Sequence, residues 1–561
     1  MTGKILREHR SIAVISALFF IFVVAMGLNR YFNFYASFDQ GIFNQVFWNN
    51  LHGRLFQSSL SSTLSEPVLI DGLDPIVNYR RLGQHFTPAL LLWTPLYFLY
   101  PKAETLVVLQ AGIITAGGLM LYLLAQRSLS APLATLVSAS FYGSNAVLGP
   151  ALGNFSDLCQ VPLFFFGVLL AVEKRFFGLA WILAIGLLAI REDVGILLFG
   201  IGLYFFLSRT HLKLGLAFCG ISVLYVVTTT VLIMPLFSDD NARRFLVTHF
   251  SQYIDSDRAS TIDLLISFLS RPGLLIREFF TPFGEKVRYT IKQLLPFAFF
   301  PILAPPAWIV AGLPLSVLFL QDSNAPNPPL HINMRYAIFV VPGLCYGVLH
   351  WWRQKGVHLS RFMRRISIFG WIACISLSVL LTLRSSPHQV FYFLGKYQPY
   401  PYQAVETSWM RQREHARHIQ SLIDAIPKDA SVAASTFIAP HIASRREAIR
   451  FVKDEVAATA LIDDTGELIQ VEYVITDIWF LGKLEKTAGS RGKRYRELRE
   501  ASIRGVEERL ADGTYGIQAI QDGVVLLRRA TLSAPDRLEQ WEQLRQADTF
   551  ATVAPLGSGL A

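Results

Sequence analysis

From residue 11 onward the chain alternates long apolar runs with short polar turns, and this alternation predicts its architecture. A helix that crosses a bilayer needs about 20 mostly apolar residues, fewer where neighbouring helices shield its ends. Runs at 11–28, 105–126, 131–149, 158–172, 176–190, 194–207, 214–236, 291–304, 307–320, 336–352 and 366–383 predict about eleven spanning helices. The turns between them are sided. With the basic N-terminus (Lys4, Arg7, Arg10) in the cytoplasm, the cytoplasmic turns are Arg127, Glu173-Lys174-Arg175, 209–213, 304–306 and 353–365. Nearly all hold Lys or Arg, as the positive-inside rule requires. The pattern closes only if 84–100, with Pro88 and Pro95, does not cross but lies in the outer interface. No small-residue cleavage site follows the first run, which therefore reads as a retained helix.

Beyond residue 383 the pattern changes to one dense in Arg, Glu and Asp. There 404–426 reads as a helix ending at Pro427, 431–435 and 473–477 as short strands, and 495–510 as a charged helix. Residues 516–529 read as a hairpin turning at Asp522-Gly523, and the last residues as a frayed end. The fold expected is an α-helical polytopic membrane protein with a C-terminal α/β domain. Residues 1–383 would form the membrane domain, with outer interfacial helices within 31–100 and an outer loop at 237–290, and 384–561 the soluble domain.

Composition agrees. The chain is 52% hydrophobic and 16% charged, far below the quarter or so of charged residues usual in soluble domains. Its net charge of +10 sits largely in the short turns, which argues for membrane orientation and against nucleic-acid binding. Cys159, Cys219, Cys345 and Cys374 all lie in apolar runs without a CxxC pair, so neither a disulfide framework nor a zinc site is expected. The location expected is the inner (plasma) membrane, N-terminus cytoplasmic and C-terminal domain extracytoplasmic.

This threading gathers Asp39, His85, Asp157, Glu192, Asp193, Asp322, His331 and Arg335 on one membrane face. Asp39 opens an apparently amphipathic helix, where a carboxylate serves equally as a helix cap or as a general base toward an acceptor hydroxyl. Arg191-Glu192-Asp193 lies between two spans. It reads either as a solvated turn with an Arg–carboxylate pair or as a site in which Glu192 and Asp193 bind sugar hydroxyls, Mg²⁺ or Mn²⁺. Arg80, Arg81 and His85 suit a phosphate, as do Arg335 and the nearby His331; the alternative for each is headgroup anchoring or snorkelling. Asp157 reads as a cap or a cavity wall. No P-loop, HExxH or GxSxG motif is present.

An acidic residue in the first outer loop, followed by interfacial helices and many spans, resembles the GT-C superfamily of membrane glycosyltransferases. More closely, SFDQGIFNQVFWN, GQHFTPALLLWTPLYFLYP, REDVGILLFGIGLYFFL and IPKDASVAASTFIAPHIASRREAIRF resemble a family of predicted bacterial multi-pass membrane proteins. The resemblance implies Asp39 at the position of the GT-C catalytic carboxylate, a polyprenyl-phosphate-linked sugar as donor and an envelope molecule as acceptor. The rival readings are a transporter or flippase, which also needs buried charges, and a non-catalytic envelope scaffold.

Overall fold

The computed structural model describes residues 2–238, 249–254, 261–322, 330–385, 409–453, 456–487 and 492–546. The chain divides into two compact units: Met1–Leu28, Arg81–Tyr100 and Glu104–Ser386, and Asn29–Arg80, Pro101–Ala103 and Pro387–Ala561. The first boundary differs from the sequence expectation. Residues 29–80, assigned above to the membrane domain, fall in the second unit.

Four helices are long and apolar enough to cross a membrane: His9–Phe32, Ala103–Ala125, Leu212–Leu236 and Arg361–Leu383. Their outward side chains are large and apolar, as lipid contact requires; Leu224 is 61% exposed, Leu232 62% and Phe369 71%. Shorter apolar helices span Pro88–Leu99, Ala131–Tyr142, Phe177–Leu188 and Pro305–Leu320. Several of the eleven expected spans are therefore short or broken. Residues 131–149 divide into Ala131–Tyr142 and Asn145–Ala151. Residues 291–304 do not form one helix, because Ala298 and Phe299 take left-handed φ of 47° and 61° between two proline-led 3₁₀ turns. Within the unit, helices Gly195–Leu207 and Leu212–Thr228 close to backbone contact, where a Cβ on Gly202 would stand 2.7 Å from the Gly215 carbonyl oxygen.

The second unit is built on a five-stranded sheet. Its strands are β1 (Val432–Ala434), β2 (Ala448–Arg450), β3 (Tyr473–Asp477), β4 (Tyr515–Gln521) and β5 (Val524–Arg529), in the order β2-β1-β3-β5-β4. β1 runs parallel to β2 and β3, whereas β5 is antiparallel to β3 and β4. Asp522 and Gly523, at φ 49° and 78°, make the hairpin turn that the Asp-Gly dipeptide predicts. The expected helices appear as Trp409–Asp424 and Gly492–Ala511. The start of the 404–426 helix and the frayed C-terminal end lie outside the described residues.

Phe38–Leu51 is helical, but it is not a surface helix. Only Asp39, Trp48 and Leu51 are partly exposed, and the other residues are buried. Phe38 and Ile42 join Ile419, Ile438 and Leu526 in one core. The amides that suggested a polar face are satisfied internally. Gln45 Nε2 donates to the Arg445 and Arg446 carbonyls, each at 3.0 Å, while its Oε1 accepts from Ser58 Oγ (2.8 Å) and the Leu60 N–H (2.9 Å). Asn44 Nδ2 donates to Ser444 Oγ at 3.0 Å. A buried amide without such partners would cost about 1–3 kcal/mol, so these bonds fix the register of the helix on the domain.

A second polar network lies deeper. His415, fully buried, places Nε2 2.8 Å from Asp477 Oδ2 and Nδ1 2.8 Å from Asp522 Oδ2. Burial opposes its charge, but the two carboxylates outweigh burial and raise its pKa. That stabilisation is complete below the unfolded pKa of about 6.5 and is lost as pH rises through the raised folded value. His415→Gln removes the cation and leaves two buried carboxylates facing one another. It is expected to destabilise the second unit by about 3–5 kcal/mol, read as earlier heat-induced protease cleavage within residues 409–546.

Candidate functional site

Within the first unit, a turn between two apolar helices brings several charges together. Arg191 precedes a 3₁₀ turn, Glu192–Val194, that leads into Gly195–Leu207. Its extended backbone directs the chain out of Phe177–Leu188, and its side chain, 2% exposed, folds back onto the turn. The guanidinium forks Asp193 through Nε–Oδ1 at 2.7 Å and Nη2–Oδ2 at 2.5 Å. It also lies over the rings of Tyr336 and Phe339, 5.4 Å from each centroid. The turn holds an Arg–carboxylate pair whose guanidinium is buried while the Asp193 carboxylate is partly exposed.

Glu192 points the other way. Its Oε1 is 2.9 Å from His85 Nδ1, and its Oε2 accepts the Phe86 N–H at 2.9 Å. The loop carrying His85 is held in register by the Ala89 N–H, which donates to the Ala189 carbonyl at 2.9 Å. Behind it, Arg81 is buried on a short 3₁₀ turn, Arg81–Gly83.

Asp157 closes the cluster. Ser156 caps the turn Asp157–Gln160, and its N–H donates to Gln110 Oε1 at 2.8 Å, anchoring the turn to helix Ala103–Ala125. Asp157 is not the cap, although its Oδ1 accepts the Leu158 N–H at 3.1 Å. Arg335 begins another 3₁₀ turn, Arg335–Phe339. The fields of these groups overlap. Burial alone would raise the Asp157 carboxyl, but Arg191, His85, Arg81 and Arg335 together hold it below its ordinary value. Burial lowers His85 well below its ordinary value, with Arg191 and Arg81 adding to the effect. Burial pushes Glu192 up to about 7 against the pull of Arg191 and the backbone N–H groups. The result is a cluster in which the guanidinium groups of buried Arg81 and Arg191 and partly buried Arg335 act together on Asp157 and His85.

The remaining expected residues are placed as follows. His331 is exposed on the turn before Arg335. Arg80 and Asp39 belong to the second unit. Arg80 is exposed, its backbone paired with Gln57, so the expected Arg80–Arg81 clamp is split between a buried and an exposed side chain. Asp39 is half-buried in the first turn of Phe38–Leu51, one residue past the start of the helix; Ser37 holds the cap position. Glu192 and Asp193 do not suit a metal. Their carboxylates already engage His85, Phe86 and Arg191, and no three His, Cys, Asp or Glu side chains converge as ligands among the described residues. The sequence reading missed Arg191 as the centre of the cluster and the His85–Glu192 bond across 107 positions. The only sequence signal for Arg191 was three ionisable residues together between apolar runs.

The profile of the family described as "Predicted membrane protein (DUF2079)" matches residues 30–526. The chain belongs to this family. The match runs through the DUF2079 stretches that carry Asp39, Arg81, His85, Asp157, Arg191 and Arg335. No curated protein matches the sequence. Among solved structures, a crystal structure of ArnT from Cupriavidus metallidurans bound to undecaprenyl phosphate is similar at 13% identity, over 92% of this chain and 99% of that one, with a TM-score of 0.45.

Arg191→Met is expected to destabilise this DUF2079 protein by about 1–3 kcal/mol, because buried Asp157 and partly exposed Asp193 lose their shared cation. Arg191→Lys keeps the charge without the fork or the ring stacking and should lose less. Thermal unfolding of the purified protein in detergent measures both.

Proposed function

We propose that this membrane protein is a GT-C-like glycosyltransferase that moves a sugar from a polyprenyl-phosphate donor to an envelope acceptor on the extracytoplasmic face. The observation that carries the reading is the grouping of buried Arg81 and Arg191 and partly buried Arg335 around His85. Ionisable residues enclosed within a membrane protein are costly and by default mark a binding or transport path. Guanidinium forks match phosphate oxygens, so the chemistry of this cluster fits the phosphate of a lipid-linked donor. The sided distribution of Lys and Arg in the short turns supports the orientation, N-terminus in the cytoplasm and second unit outside.

In this reading the acceptor hydroxyl attacks the anomeric carbon as the bond from that carbon to the phosphate oxygen breaks, the electron pair leaving with the phosphate. Asp39 takes the hydroxyl proton as general base, and the guanidinium groups stabilise the charge that develops on the phosphate. No step requires a metal.

The test is a liposome assay with labelled polyprenyl-phosphate sugars and envelope extract. Asp39→Asn should lower transfer by about 10²–10⁴-fold, the usual worth of a general base. Equal rates in both proteins would remove Asp39 from the chemistry, and no turnover by the wild type across a broad panel would shift the reading to a transporter. Arg81→Ala and Arg335→Ala should each raise the KM for donor by about 10–100-fold, the worth of a charge-assisted hydrogen bond.

A further inference from the structure

We propose that His85 and Glu192 form a proton relay that protonates the departing lipid phosphate. The proposal rests on the transfer reading above and assigns that site a general acid. Three observations carry it. His85 Nδ1 and Glu192 Oε1 face each other at 2.9 Å, within reach of direct proton transfer. The Phe86 N–H occupies the other carboxyl oxygen at 2.9 Å, so the orientation of Glu192 is fixed and Oε1 is committed to the imidazole. The opposite ring nitrogen, Nε2, makes no hydrogen bond among the described residues, while the His85 side chain is 27% exposed against 11% for Glu192. The ring therefore links a buried carboxyl to a more open position in the field of Arg191, Arg81 and Arg335.

The surrounding charges decide where the proton rests. Arg191 and Arg81 act against a positive imidazole, as does Arg335, with Asp157 opposing them. Glu192 faces Arg191, which favours its ionised form, and Asp157, which does not; Tyr225 from helix Leu212–Thr228 and the neighbouring Asp193 complete its charged and titratable surroundings. Burial overrides Arg191 and brings the carboxyl to about 7. Below about pH 7 the pair thus holds one proton on Glu192 and a neutral ring whose single N–H proton sits on Nε2. A cation in place of that ring would add a fourth positive charge to the cluster, which explains why the proton is stored on the carboxyl.

The step balances. As the bond between the anomeric carbon and the phosphate oxygen breaks, the phosphate gains a second negative charge. His85 Nε2 gives its proton to a phosphate oxygen while Nδ1 takes the proton of Glu192 Oε1, leaving Glu192 ionised and His85 neutral. Asp39 meanwhile holds the acceptor's proton. Water returns a proton to His85 Nε2 as the Nδ1 proton goes back to Glu192 Oε1, and another water removes the proton from Asp39 before the next turnover. Glu192 works in its protonated form, so the rate should fall as pH rises through about 7.

The experiment pairs infrared spectroscopy with the transfer assay, using the full-length wild type, Glu192→Gln and His85→Asn. The first expectation is a protonated-carboxyl C=O band in the wild type that vanishes as pH rises through about 7. The band should be absent in Glu192→Gln and persist, shifted, in His85→Asn. The second expectation is that both variants lose about 10²–10⁴-fold in transfer and that Glu192→Gln no longer shows the fall in rate above neutrality. A wild type without a Glu192-dependent band overturns the stored proton. With the band present, an unchanged pH profile in Glu192→Gln overturns the relay and leaves sugar transfer standing. The band without turnover on any donor overturns sugar transfer instead, and the pair is then a proton site of another kind.

Discussion

A guanidinium cannot be taken out of water without partners, and Arg191 is 2% exposed. Its position sets the rest of the first unit's polar interior. The fork on Asp193 supplies the opposite charge, and Tyr336 and Phe339 supply polarisable faces that a lipid or an aliphatic side chain could not. Because both oxygens of Asp193 are taken, Glu192 is left to the adjacent loop, where it binds a ring nitrogen and a backbone N–H. Three consecutive residues thus join separate parts of the unit: the turn itself, the loop after Arg81 and the turn beginning at Arg335. The cluster is first a solution to burying one charge.

The second unit obeys the same constraint by different means. Gln45, which bonds the carbonyls of Arg445 and Arg446, and the His415–aspartate network are satisfied by residues distant in sequence. Lys483, 2% exposed, is held the same way, with Nζ 2.9 Å from Gln412 Oε1 and its charge over the rings of Tyr35, Trp479 and Phe480. Such polar cores rigidify a domain when every group is paired.

What was legible in the sequence was local. The Asp-Gly hairpin, the strand at 473–477 and the long apolar helices each carry their signal within a short window, and all were found. The outer-loop helix was recognised as a helix but set on the wrong surface. Alternating amides and aliphatics look the same whether the amides meet water or the carbonyls of a distant segment, and only the fold distinguishes them. Residues 131–149 and 291–304 were read as single helices but are interrupted, since hydropathy registers apolar residues without registering a break in the helix. The charges of the candidate site were nearly all noticed one by one. Their pairing was invisible because His85 and Glu192 share no pattern along the chain.

The second unit is discontinuous: one part precedes most of the first unit in sequence and the other follows it. During synthesis the early part emerges with its amide-rich helix, and although Gln45 and Asn49 can bond residues 57–60, the Arg445 and Arg446 carbonyls are missing until strands β1 and β2 exist. Roughly 380 residues separate Leu51 from Val432, which at about 5–20 residues per second is about 20–75 s of waiting. For that interval a segment designed to be buried is held open beside the nascent bundle. Its lack of a long apolar stripe, with Gln40, Asn44, Gln45 and Asn49 spread among the aromatic residues, keeps it soluble until its partner arrives.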